Sequence, residues 1–598
     1  MPPTPGKKPF SQPIPEQLSE PVPPSSVIII HPGSYNLRIG RASDTFPVAV
    51  PHCIARKKRS QSTPYQPEAW LARPECNHPD VKQQKRLGLK SAEEALLTKP
   101  TAIGGYRQLT PGRELASYNC SVKPERTDVV NPQKWTTTDK PYIVGGDALL
   151  IHPSSNYSLH WPIRRGHLNV HSGSNETLNS VLADLEVIWQ TVIETHLNIP
   201  QKNFQNYHVI LLIPDVYVHK HVKALMNLLL DKLGFGAAFI HLESVCAIFG
   251  SGISCACVVD VGDQKTSVCC VEDGISQKSS RIVMEYGGVD VSRCLHWMLG
   301  RCGFPLRELN LSLPVDILLL QQLKESLCHM DINDNGGVID QFVQIKRPQT
   351  NIIKYNIKLG DELLLSTLSL LFPEMYGLHG AHLVHVQSRF AGDPDDPHDE
   401  SYLRQTQRAG GQSGKTKKDN PEMTRDASES SLIQLDENMQ VQGDDDSNDA
   451  PDSLPASETK LGRRTEMEEE EEKESEPVAQ LMGVDEAILY SIEKCGSEEM
   501  KKKMYSCIVV VGGGLALFEG AQDWLQYRVW LQMPSNQRMI LESMDVITRP
   551  KDTDPRVVCW KGAAIMACLD TTQELWIWQK EWKQYSCRLL RERAPFIW

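Results

Sequence analysis

The sequence predicts an α/β protein of two or more lobes interrupted by long insertions, and three observations carry that expectation. Short β-branched runs alternate with stretches of helical period. Two of the runs belong to strand–turn–strand units whose turns hold small or acidic residues. With 598 residues and 40% hydrophobic composition the chain is too long for one small core, yet part of it is too poor in apolar residues to fold.

Residues 1–26 are rich in Pro, Ser and Gln and read as a disordered tail. The apolar run Val27–Ile30 is too short for a secretory h-region, so secretion is not expected. From Val27 a strand begins, Pro32-Gly33-Ser34 turns it, and Leu37 to Gly40 resumes the alternation. Residues 57–140 are polar, basic and Pro-rich with weak periodicity, which reads as a surface insertion with room for short helices. Leu182, Leu185, Ile188, Trp189, Val192 and Ile193 then recur at helical spacing within Leu178 to Leu197. His208 to Ile213 reads as a buried strand, His221 to Lys232 as a helix and Ala238 to Leu242 as a strand. That order implies a parallel pair with a crossover helix. Cys257 to Asp260 and Thr266 to Val271 form the second strand–turn–strand unit.

Residues 389–478 lose apolar content and read as a disordered acidic insertion, because they cannot offset the entropy of ordering. Between Leu435 and Glu476 stand sixteen acidic and four basic residues, which accounts for the whole formal charge of -12. The folded remainder, 27–388 and 479–598, is therefore near neutral and neither a basic nor an acidic body. No run of 18 apolar residues occurs, which removes a membrane-spanning helix. The sixteen cysteines are scattered through apolar runs, and Cys255-Ala256-Cys257 lacks the two-residue spacer of a metal or redox pair. Reduced buried thiols in a soluble intracellular chain are the simpler reading.

Three turns carry the chemistry: Pro32-Gly33-Ser34, Asp260-Val261-Gly262-Asp263, and Gly512-Gly513-Gly514 after the apolar Ile508 to Val511. Each alone reads as a hairpin or strand exit needing positive φ. In that order they suit a nucleotide. Small residues let backbone N–H groups approach phosphate oxygens from two sides, and a carboxylate at such a turn can hold a hydrated Mg²⁺. The triple glycine, expected to precede a helix, allows close approach to a ribose or pyrophosphate.

These turns, with Leu211-Leu212-Ile213-Pro214, Glu243-Ser244-Val245, Val511 to Gly514 and Trp560-Lys561-Gly562-Ala563-Ala564, resemble the actin, Hsp70 and sugar-kinase superfamily, and within it actin. The phrases His31-Pro32-Gly33-Ser34, Trp161 to Gly166, Gly262-Asp263-Gln264-Lys265-Thr266 and Thr548 to Asp552 resemble the actin-related protein eight family, a subunit family of the Ino-eighty chromatin remodeller. The resemblance implies an actin-like two-lobed fold, each lobe with a mixed five-stranded sheet, closing over ATP. It also implies a nuclear scaffold in transcription regulation, DNA repair and recombination. Its partners would be actin, other actin-related proteins and the remodeller's motor subunit, with nucleosome, histone and DNA contacts and no membrane.

Carried over by position, the resemblance implies a nucleotide set of Ser34, Tyr35, Arg38, Asp260, Val261, Gly262, Asp263, Lys324, Glu325, Gly512, Gly513 and Gly514, with Lys324 and Glu325 on a helix Leu318 to Cys328. ATP and Mg are the implied ligands, Asp260 reaching the metal through water. Two departures bear on chemistry. His31 stands where actin has an aspartate, and Glu243 where actin has the glutamine that orients the attacking water. Phosphoryl transfer depends on positioning and metal electrostatics, so these changes weaken hydrolysis more than binding. No catalytic residue is assigned, and the expectation is at most a very slow ATPase. A slow ATPase acting on its own, suggested by Asp260 and Asp263, and a filament subunit are the competing classes. Gly410 to Thr416 superficially resembles a Walker loop, but Ala409 stands where its first glycine belongs. Arg56 to Arg59 is a short basic cluster open to reading as an import signal, a DNA contact or a solvated loop face.

Overall fold

β-Branched runs with no polar alternation are stable as strands only when both faces are covered. Val27, Ile28, Ile29 and Ile30 are all fully buried in the computed structural model. The structure describes residues 22–58, 79–170, 177–387 and 480–598, apart from 102–103, 111, 129–132, 171–176, 306–308, 312, 333–337, 349–351, 379–381 and 597. Residues 1–21, the acidic segment 389–478 and the Walker-like phrase at 410–416 lie outside them.

The strands that build the two main sheets are β1 (Val27–Pro32), β2 (Asn36–Arg41), β3 (Val48–Pro51), β4 (His208–Ile213), β5 (Ala237–Leu242), β6 (Cys255–Val261), β7 (Thr266–Glu272), β8 (Ile282–Met284), β9 (Val384–Val386), β10 (Cys507–Val511), β11 (Asp545–Ile547) and β12 (Ile577–Trp578). The first sheet runs β12-β5-β4-β1-β2-β3, and the second runs β9-β8-β7-β6-β10-β11 with Ile275–Ser276 added on β7. Sheets of six and seven strands replace the five expected per lobe. Both share one plan: an antiparallel hairpin (β1/β2, β6/β7), two parallel strands beside its first strand (β4 and β5, β10 and β11), and an antiparallel strand beside its second (β3, β8). Even the hairpin turns close alike, Gly33 N donating to Asn36 O at 3.0 Å and Gly262 N to Lys265 O at 2.8 Å.

Helices of near-complete burial fill the space between the sheets. α4 (Glu243–Ser251) and α7 (Val558–Ala567) cross there, α4 packing on β5, β6 and β7 and α7 on β1 and β4. A side-chain carbon on Gly562 would collide with the Cys246 carbonyl and one on Gly250 with that of Val558, so glycine sets their separation. α3 (Leu178–His196), within one residue of its expected span, turns Leu185, Ile188, Trp189, Val192 and Ile193 into the first core. The expected helix at His221 to Lys232 is His219–Asn227 followed by a π-helical turn, Leu228–Leu233, ended by Gly234 at positive φ.

The stretch 57–140, read as a surface insertion, contributes to both lobes. It leaves from strand Ile54–Lys57 and returns at strand Tyr142–Val144, which pair with each other. Between them α1 (Pro79–Thr98) sends Leu89, Ala92 and Leu96 into the second lobe's core. α2 (Gly112–Ser121) sends Leu115 into a third cluster, shared by Ala55, Leu159 and Trp161 of the first lobe and Val289, Leu295 and Leu320 of the second. The three residues Glu125–Thr127 then add a strand to the hairpin Ile339–Ile345 and Ile352–Leu359. All fifteen cysteines among the described residues are free. No helix among the described residues is long and apolar enough to cross a membrane.

Candidate functional site

Because the two hairpins are related by the repeated sheet plan, their turns face one another across a cleft of about 320 Å³. Eleven of the twelve expected residues line it: Ser34, Tyr35, Arg38, Asp260, Gly262, Asp263, Lys324, Glu325 and Gly512 to Gly514. Val261 does not. Its side chain is fully buried in the second core, and only its carbonyl serves the site, accepting from Gly514 N at 2.7 Å.

One end of the cleft is a backbone cradle. Gly512 has φ +85° and donates its N–H to Pro555 O, while Gly513 packs on the Arg556 side chain. No helix follows the triple glycine directly, contrary to expectation: turns occupy the chain until the helix Ala521–Gln532. Lys324 lies on α6 (Pro314–Leu327), which starts four residues before the expected Leu318, and its ammonium donates to Gly288 O at 2.7 Å. Burial lowers the Lys324 pKa, with Asp263 opposing. Gly287 and Gly288, before and at the start of α5 (Gly288–Arg301), went unread in the sequence although the pair precedes a helix with an acidic first turn. Gly288 N donates to Gly262 O at 3.0 Å, and a side chain on Gly287 would meet that same carbonyl.

The other end is ionic. His31, at the end of β1, places Nε2 at 3.2 Å from Glu243 Oε1 at the start of α4. Since a carboxylate only accepts, that nitrogen carries the hydrogen, and Nδ1 has no hydrogen-bond partner among the described residues. Lys265 donates its ammonium to Glu243 Oε2. Burial alone would raise the Glu243 pKa, but Lys265 and His31 outweigh it and hold the group down at about 2. Asp260 is shifted the other way, raised by burial, with Lys265 opposing and Glu243 adding to the rise. Burial likewise raises the Tyr35 hydroxyl, Asp263 adding to it, and its ring stacks on Trp161 at 6.0 Å.

A further hairpin of the first lobe, carrying Arg165 and Gly166, packs against the site. Arg165, at φ +51°, reaches across to Gln264 O and pairs with the fully buried Asp290, while Gly166 N donates to Ser34 Oγ at 3.4 Å. Within the cluster Arg56 to Arg59, Arg56 pairs with buried Asp184, Lys57 stands 3.7 Å from the exposed Asp139, and Arg59 lies outside the described residues. Sequence reasoning assigned no role to Lys265, Arg165 or Arg556. Only the phrases containing the first two were noticed, since nothing in spacing shows that distant carboxylates meet them.

The arrangement offers glycine space and cationic side chains to a phosphate chain, and a carboxylate that is already occupied. Similarity to known proteins agrees with that geometry. The Actin family model matches residues 22–312 and 455–595. Relatives named Actin-related protein 8 from Bos taurus and Homo sapiens are each 45% identical over 589 residues, covering 96% of this chain and 92% of theirs. The relative of that name from Aedes aegypti is 36% identical over 583 residues, covering 96% and 98%. The solved structure of human actin-related protein Arp8 in its ATP-bound state superposes with a TM-score of 0.79 at 41% identity, covering 98% of this chain and 100% of that one.

Proposed function

The chain belongs to the actin family, in its actin-related protein 8 branch, and from that premise we propose that it holds ATP in the cleft with little or no hydrolysis and acts as a scaffold in a nuclear chromatin remodeller. The observation that carries the first half is the engagement of Glu243 by both Lys265 and His31. A carboxylate so paired neither orients nor deprotonates water readily, because taking a proton would forfeit two charge-assisted contacts. Ser34, Gly33 and Gly262 suit the phosphates, Gly512 to Gly514 the adenosine, and Lys324 and Glu325 flank it. Mg²⁺ bound with the nucleotide would neutralise phosphate charge. Asp260, which lines the cleft beside the second hairpin turn, would hold it through water.

Since both lobes line the cleft, nucleotide occupancy favours the closed arrangement by mass action and keeps the outer surface in one shape. That surface is the working part of the scaffold: it would join actin and other actin-related proteins on the remodeller's motor subunit and touch nucleosomal histones and DNA. The test is affinity capture of the tagged full chain from nuclear extract, with identification of bound proteins, DNA and nucleotide. Recovery of actin and a remodeller motor is expected. Recovery of cytoskeletal proteins without a remodeller, or polymer at physiological salt, would overturn the reading.

A further inference from the structure

The ionic end of the cleft does more than disable a base. Lys265 sits in the second hairpin turn with its side chain 9% exposed, and its stem packs on Gly166. Gly166 holds φ +83°, and a side-chain carbon there would come within 2.6 Å of Lys265 Cδ, so this glycine is the space in which the lysine lies. The same Gly166 donates to Ser34 Oγ in the first turn. Lys265, Glu243, His31, Gly166 and Ser34 thus form one connected group. Its side chains are separate from the Lys324 ammonium on Gly288 and from the Arg556–Gly513 contact, the backbones alone being joined through Gly262. With adenosine at the Gly512 to Gly514 end, as proposed above, Lys265 at the ionic end would face the last phosphate.

We infer that Lys265 is the residue by which the cleft distinguishes a nucleoside triphosphate from a diphosphate. The inference rests on the nucleotide reading of the cleft. An ammonium has three N–H donors, and Glu243 uses one of them. Glu243 and Asp260 keep the ammonium protonated, raising its pKa against the burial that would lower it. The free donors and the charge serve a terminal phosphate. They also cancel the negative charge that Glu243 would otherwise turn on that phosphate. A diphosphate ends one group short and gains neither effect. A point charge on a flexible stem suits this better than a planar guanidinium, since it can hold two anions at once.

The test is competition binding of ATP and ADP to the full chain, comparing the native protein with Lys265→Met and with Lys265→Met/Glu243→Gln. The double variant removes both charges and so guards against misfolding around an unpaired Glu243. Native protein is expected to prefer ATP. Both variants should lose about ten- to hundredfold of that preference, the worth of one charge-assisted hydrogen bond, with ADP affinity little changed. Equal weakening of ATP and ADP, or an unchanged ratio in the double variant, would overturn this inference alone. Failure of the native chain to bind either nucleotide would overturn the nucleotide reading and this inference with it.

Discussion

At His31 and Glu243 two single-residue departures from actin underlie the proposal that the site binds rather than cleaves. A carboxylate at 31 in place of the imidazole that bonds Glu243 would set two buried negative charges near each other, so His31→Asp alone should destabilise the fold by like-charge repulsion. His31→Asp with Glu243→Gln removes the repulsion and frees the water site. That double variant should raise phosphate release about tenfold or more, a modest part of what positioning contributes in phosphoryl transfer. A malachite-green assay reads it, and an unchanged rate would refute the role given to these two positions. His52 sits one contact away. Its Nδ1 donates to Gly33 O at 2.9 Å and its Nε2 accepts from Trp189 Nε1 at 3.2 Å, which requires the neutral ring. Burial lowers its pKa from 6.5 to about 4, and lowers His208 to about 4 and His241 to about 3. The unfolded chain then binds these protons first. Stability is complete above pH 6.5 and falls as pH drops toward 4, by at most about 3 kcal/mol for His52. Urea midpoints across that window should decline, and His52→Gln, which keeps a donor and an acceptor, should flatten the decline.

Among elements, the insertion that carries α1 and α2 most changes the expected picture. Arg107 donates to Asp361 from Nε at 3.0 Å and Nη2 at 2.6 Å, Thr110 N joins at 2.6 Å, and all of this is buried or nearly so. Asn119 then bonds Cys302 O and both the N–H and C=O of Lys358, each at 2.8 Å. Asp361→Ala should cost about 3–5 kcal/mol by stranding the guanidinium, whereas Arg107→Met/Asp361→Leu should cost much less. Chemical denaturation separates the two, and equal losses would mean that the pair does not fasten the insertion. These contacts were not legible in the sequence. Leu89, Ala92 and Leu96 lie at helical spacing but are diluted by Lys and Glu, and Arg107 and Asp361 are 254 positions apart. The strands were legible because β1, β4 and β10 are unbroken apolar runs, and the phosphate turns because they interrupt such runs with Gly, Ser and Asp. The triple glycine misled on one point, since a strand followed by glycines does not by itself start a helix.

At the scale of the molecule, one sheet plan is used twice, with α4 and α7 between the copies and the cleft above them. The hydrophobic cluster shared by Ala55, Leu159, Leu115, Val289 and Leu320 joins the lobes on the insertion's side. On the proposed function a nucleotide would also join them in the cleft, adding about 2.7 kcal/mol when present at a hundred times its dissociation constant. Such a body suits a scaffold, whose partners read a fixed outer shape, better than an enzyme that must open each cycle. The most direct test of that claim is the nucleotide content and turnover of the purified full chain, with bound nucleotide released by acid and resolved by ion exchange, followed by single-turnover phosphate release with Mg²⁺. About one ATP per chain and release far slower than about one per second are predicted. Bound ADP with metal-dependent turnover near one per second, typical of slower enzymes, would contradict the account.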